Sequence, residues 1–278
     1  MSAATTEVKD GDPRVRVIRD SGPESPRDWD NLGTMVCWHR NYSLGDFEKT
    51  DKGRRAKPKY ETSAYMFLDI LRDAEASLEV LRPVILQLIK DPDNRWRYKQ
   101  YWLDDAREDK QQAWLDFIDD RITYGYNSKE HRALAQAASE VAYILPLYLY
   151  DHSGITMNTS GFNDRWDSGM VGYIFLTHKR FDEETSWKDE TLEAKKQHAE
   201  RVLKGEVETY DQYLRGDIYG FVAEKASVCE CCSTVEWEET DSCWGFYGTD
   251  EDNGMKDHLS PEYHEALKAA LENPEYGR

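Results

Sequence analysis

The chain has 278 residues and a formal net charge of −18, from 36 Lys and Arg against 54 Asp and Glu. With 39% apolar and 12% aromatic residues it can bury a sizeable core, which excludes wholesale disorder. No run approaches the ~18 apolar residues of a membrane span, and Met1 to Arg14 lacks the apolar segment of a secretory signal, so a soluble chain of the cytoplasm is expected.

The charge is uneven. Residues 1–100 carry 18 basic and 17 acidic side chains, whereas residues 101–278 hold a net −19. Such a field repels phosphates, so direct nucleic-acid binding by the C-terminal part is not expected, and it attracts a basic protein instead. Five cysteines without an export signal point to metal binding or plain packing rather than to disulfides.

Residues 1–31, with Gly11, Pro13, Gly22, Pro23 and Pro26 among charged residues, read as a flexible N-terminal arm. A single domain is then expected over 32–278. It opens with a strand at Met35 to Trp38 and passes a basic loop with Lys52, Arg54, Arg55, Lys57 and Lys59. Residues 62–143 read as a helical subdomain or insertion. Its first helix, capped at Thr62 or Ser63, carries Tyr65, Leu68, Leu71, Leu78, Leu81, Ile85 and Leu88 at helical spacing, with Pro83 expected to kink or split it. A second helical region follows from about Tyr98 and a third from Ser128 to Val141.

A sheet-containing core is expected over 144–248. Val141 to Tyr150 suits a buried strand, although Pro146 implies an edge or a bulge. After a polar loop from Asp151 to Gly169 come a strand at Val171 to Thr177, helices near Lys188 to Lys204 and Glu206 to Leu214, and a strand at Ile218 to Ala223. A hairpin between Val228 and Tyr247 is followed by a C-terminal helix over 260–273, opened by Ser260-Pro261-Glu262. The sum is an α+β fold with one mainly antiparallel sheet and helices packed against it.

The densest polar constellation is Asp151-His152-Ser153-Gly154, continuing to Asp164-Arg165-Trp166-Asp167-Ser168-Gly169, between two apolar strands. Strand ends hold such groups on a rigid frame. His39 follows the first strand, and with Asp46, Asp151, His152, Ser153 and Asp167 it would supply a general base, a hydroxyl and carboxylates for a divalent metal. The same residues also serve as turn formers, and adjacent strand residues such as Asp151 and His152 point to opposite faces.

Cys229 and Cys232 have the spacing that lets two thiolates grip zinc, with Cys243 and His258 as the remaining ligands of a structural site. Half of the usual pattern is missing, and small thiols near a hairpin fit the residues equally well. Acidic rows at Asp104-Asp105, Glu108-Asp109, Asp116, Asp119-Asp120, Asp182 to Glu184 and Glu236 to Asp241 give a solvated surface, or a DNA-mimicking face for a basic host protein. Tyr60, Tyr65, Trp96, Tyr98, Tyr101, Trp102, Tyr124 and Tyr126 flank the basic loop, where aromatics with cations suit either core packing or a nucleotide pocket.

The segments Val36-Cys37-Trp38-His39-Arg40-Asn41-Tyr42-Ser43-Leu44-Gly45-Asp46, Leu147 to Ile155, Trp166 to Ile174, Tyr210 to Gly220 and Asp241 to Gly248 resemble those of a group of uncharacterised proteins from bacteriophages and bacterial mobile elements. The resemblance runs from about Leu32 to Gly248 and is weakest over the helical stretch. It implies a phage-encoded protein acting in a bacterial cytoplasm, and carries no activity or catalytic residues with it. Two functions are therefore expected from the residues: metal-assisted hydrolysis of a phosphate ester or similar polar substrate at the strand ends, or an acidic accessory protein without enzymatic activity.

Overall fold

A computed structural model describes residues 8–48, 57–89 and 109–275. Outside them fall Lys52, Arg54 and Arg55 of the basic loop, the start of the second helical region, the acids Asp104, Asp105 and Glu108, and the aromatics Trp96, Tyr98, Tyr101 and Trp102. The described residues show the α+β architecture, divided between two compact units. One unit takes the chain up to Trp29, Ser153–Thr156 and the chain from Glu208; the other takes Asp30–His152 and Met157–Val207.

The first unit holds an antiparallel sheet of β1 (Pro13–Arg19), β8 (Ile218–Val228) and β9 (Val235–Tyr247), in the order β1-β8-β9. The strand β1 lies where the sequence suggests a flexible arm. Its signal is the alternation of buried Val15 and Val17 with Arg14 and Arg16, a period of two obscured by the surrounding charge. Both arginines pair with Glu224, a buried acid on β8, at 2.7 and 3.3 Å. On the other face Val15, Val17, Phe221, Ala223 and Phe246 pack against Met255, Leu259, Tyr263, Leu267 and Leu271, the last two on α7 (His264–Leu271).

The second unit is built on a second antiparallel sheet, where one was expected. β2 (Thr34–Cys37), β7 (Ser168–Thr177), β5 (Ala142–Asp151) and β6 (Ile155–Asn158, of which Ile155 and Thr156 are counted with the first unit) lie in the order β2-β7-β5-β6, and β3 (Phe47–Glu48) pairs with β4 (Lys57–Pro58). Pro146 sits inside β5 opposite Tyr173, one residue before a bulge at Leu147/Tyr148. Val36, Ala142 and Phe175 join the core of four helices: α1 (Ser63–Asp73), α2 (Leu78–Leu88), α3 (Lys110–Tyr124) and α4 (Ser128–Ser139).

The break between α1 and α2 falls at Ala74 to Ser77, not at Pro83. Glu75 takes φ +50°, and the Ser77 hydroxyl caps α2 by accepting from the Val80 N–H. Pro83 is carried inside α2, whose buried Leu81, Val84, Ile85 and Leu88 keep that helix together. The third expected helix starts one residue earlier than a Ser128 cap would give: Asn127 is the cap, in a capping box with Glu130. Beyond β7 come α5 (His178–Glu184) and one continuous α6 (Leu192–Arg215), which runs through Gly205 where two helices were expected. Among the described residues no helix is long and apolar enough to cross a membrane.

Asp69 and Asp73 lie one turn apart on α1, and the Tyr60 hydroxyl donates to Asp69 Oδ2 at 2.5 Å. Burial and then the Asp69 charge raise the Asp73 pKa against the pull of Lys59 and Lys179. A carboxyl whose pKa is higher folded than unfolded binds protons more readily when native. It therefore costs stability at neutral pH, and that cost vanishes as the pH falls below the unfolded value. Asp73→Asn is expected to raise the thermal midpoint at about pH 7 and to match the parent near pH 3. A midpoint at pH 7 at or below that of the parent would show that the lysines hold the charged form in balance.

Candidate functional site

The β5–β7 ladder brings two of the expected acids side by side. Its last registered pair is Tyr150 opposite Ser168, and the Asp151 N–H then donates to the Asp167 carbonyl at 2.8 Å. The loop entering β7 is fixed by Asp164, whose Oδ1 accepts from the Trp166 and Asp167 N–H groups, each at 2.8 Å. The Ser168 hydroxyl donates to the Asp164 carbonyl. The Asp167 N–H, then that of Trp166, hold the Asp164 pKa below the usual range.

On this frame His152 Nδ1 lies 2.9 Å from Asp167 Oδ2. A carboxylate only accepts, so Nδ1 carries the ring proton and the neutral imidazole keeps Nε2 as an acceptor. The His152 side chain is 62% exposed, and the Asp164 carboxylate also interacts with it electrostatically. Tyr150 lies beside it, with ring centroids 6.2 Å apart, and itself meets Phe162 at 5.7 Å.

Asp151 has a different partner, as strand alternation requires. The Tyr42 hydroxyl donates to Asp151 Oδ1 at 3.1 Å, and this hydrogen bond, more than burial, raises the tyrosine pKa. Tyr42 stacks on His39 at 5.0 Å and 12°, while His39 Nδ1 accepts from the Asn41 and Tyr42 N–H groups, each at 3.3 Å. His39 thus supports Tyr42 and, through it, Asp151.

Asp46 has a structural role. Its Oδ2 accepts from the Met35 N–H at 2.9 Å and its own N–H donates to the Met35 carbonyl at 2.7 Å, closing the loop back onto β2. Gly45 is required at this closure, with φ +73° and the Met35 carbonyl only 2.6 Å from where a Cβ would stand. Ser153 takes φ +58° at the turn after β5 and falls in the other compact unit, so it is not counted in the site.

The expected zinc set changes membership. Cys229, Cys231 and Cys232 meet in the turn between β8 and β9, their sulfurs all within 4.8 Å of one another. Cys243 pairs in register with Phe221, eight residues along β8 from Cys229, about 26 Å at the rise of a strand. His258 packs its ring on Phe246, toward the same far end of the hairpin as Tyr247. Neither reaches the turn, and Cys231 takes the third place. Hydrogen bonds, first from Cys231, lower the Cys229 pKa to about 7, and the Cys231 thiol is raised in turn. Among the described residues this is the one group of three His, Cys, Asp or Glu whose ligand atoms lie close enough together to hold a metal.

One polar pair has no signal in the sequence. Ser63 Oγ and His131 Nε2, 68 positions apart, are 2.8 Å from each other, and burial lowers the His131 pKa. The ring stacks on Tyr126 and meets Phe67 edge-on. No carboxylate orients its other nitrogen among the described residues, so the pair ties α4 to α1 rather than completing a catalytic set.

Of the acidic rows, Asp119 pairs with Arg72, Asp182 with Lys195 and Glu184 with Arg180. Glu236, Glu238, Glu239 and Asp241 stand exposed along β9, one of the two edge strands of its sheet. Comparison with known proteins finds no family model, no curated protein and no solved structure that matches this chain.

Proposed function

We propose that this chain is a hydrolase of a phosphate ester or similar polar ester, with His152 as general base and Asp167 as the group that orients it. The supporting observation is the exposed His152–Asp167 pair, 2.9 Å apart on the end of a paired ladder. In this reading a water gives its proton to Nε2 of His152 as its oxygen bonds to phosphorus or carbon. Asp167 stabilises the imidazolium, which returns the proton to the departing alkoxide. Arg165 is exposed two residues before Asp167 and makes no ion pair among the described residues, so its charge is available to an anionic substrate. The resemblance to phage and mobile-element proteins adds a phage-encoded origin and a host bacterial cytoplasm to the proposal.

A panel of phosphomonoesters, phosphodiesters and carboxylic esters tests it. The parent chain is expected to turn over at least one class and His152→Ala to lose that activity with an unchanged circular dichroism spectrum. Equal rates for parent and variant, or no turnover across the panel, would overturn it.

The exposed acids of β9 favour a second reading, an accessory protein that covers a basic, DNA-binding surface of a host protein as a DNA mimic. Its test is release of such a protein from DNA by the parent chain. Release should be lost when Glu236, Glu238, Glu239 and Asp241 are changed to the amides, and equal release by that variant would end this reading.

A further inference from the structure

We infer that the turn between β8 and β9 is an exchangeable site for a thiophilic cation of the zinc class, held by Cys229, Cys231 and Cys232 with its fourth position open to water. Three observations carry this. The three sulfurs come from four consecutive residues of one turn and already lie within 4.8 Å of one another. Zinc–sulfur bonds of about 2.3 Å place tetrahedral ligands roughly 3.8 Å apart, so the Cys229 and Cys231 sulfurs, 2.9 Å apart, have to open by roughly 1 Å to take the ion. The turn is held by its own backbone, the Cys229 N–H donating to the Thr234 carbonyl at 2.9 Å and the Ser233 N–H to the Cys229 carbonyl at 2.8 Å. All three cysteines are exposed, so an ion and its water ligand can enter and leave.

Sulfur donors select soft or borderline ions over calcium and magnesium, which take oxygen. Structural zinc sites are closed by four protein ligands, whereas three protein ligands leave a position for exchange. The hairpin has a pairing of its own beside the site, since the ladder carries hydrogen-bonded register up to Val228 opposite Val235, where the turn begins. This separates the site from a folding clamp built on Cys243 and His258: the ion is carried at the tip of the hairpin and is expected to leave the fold intact when removed.

The test uses the full chain, reduced and kept anaerobic, with its free thiols counted before zinc chloride is titrated in against a chromophoric chelator. The parent, Cys243→Ser and His258→Ala are each expected to bind one equivalent. Cys229→Ser, Cys231→Ser and Cys232→Ser are expected to bind about tenfold or more weakly, since each removes one metal bond. Chelation should leave the thermal midpoint of the parent within about 2 °C. No zinc bound by fully reduced protein, undiminished binding in Cys231→Ser, or loss of binding in Cys243→Ser would overturn the assignment. So would a large fall in midpoint on chelation, which would make the ion a structural clamp.

Discussion

Alanine at Gly172 is expected to cost about 3 kcal/mol of folding stability, the upper end of what overpacking a well-filled site costs. A Cβ there would stand 1.9 Å from the Val36 carbonyl oxygen and 2.9 Å from Cys37 Cα. Those atoms belong to the backbone of β2, paired with β7 through Cys37 opposite Gly172, and no side-chain rotation relieves the clash. The strand must move instead, and β2 leads into the loop that carries His39 and Tyr42. Gly169→Ala is the control, on the same strand with nothing within 4 Å of its added carbon. Urea unfolding should separate the two variants clearly. Equal midpoints would mean that β2 and β7 do not approach as closely as the structure shows.

The second large effect concerns chemistry. Once a substrate class is found, His152→Ala is expected to lower kcat/KM by about 10²- to 10⁴-fold, the usual contribution of a positioned general base. Asp167→Asn should fall nearly as far as His152→Ala, because the asparagine amide can donate to Nδ1 and leave the ring proton on Nε2, where the base must accept, and it supplies no charge to stabilise the imidazolium. Asp46→Asn, at the loop closure on Met35, should change stability while leaving the rate constant of the folded fraction alone. A rate loss in Asp46→Asn as large as that in His152→Ala would return Asp46 to the site.

The apolar runs of β2, β5 and β7 could be read from the sequence because each buries apolar residues next to clear turn residues. The strand β1 was hidden because its two buried valines alternate with arginines whose charge is neutralised by Glu224, more than 200 residues away. At the site, Asp151, His152 and Asp167 could be gathered from one loop, but their pairing depends on the register that sets Asp151 beside Asp167. Asp46 looked equally available; only the fold shows its carboxylate bound to the backbone of β2. Cys243 was excluded by the length of a strand, and Ser63 with His131 could not be found at all, since no local pattern links residues on separate helices.

The most direct test of the strand-end site needs no substrate: a nitrogen-15 NMR titration of the His152 ring in the parent and in Asp167→Asn. In the parent, the neutral ring is expected to carry its proton on Nδ1, facing Asp167, with Nε2 unprotonated. In Asp167→Asn the proton should shift toward Nε2, the form that free imidazole prefers. A His152 ring with its proton on Nε2 in the parent, or with the same tautomer in both proteins, would show that Asp167 does not orient it and would remove the basis of the proposed chemistry.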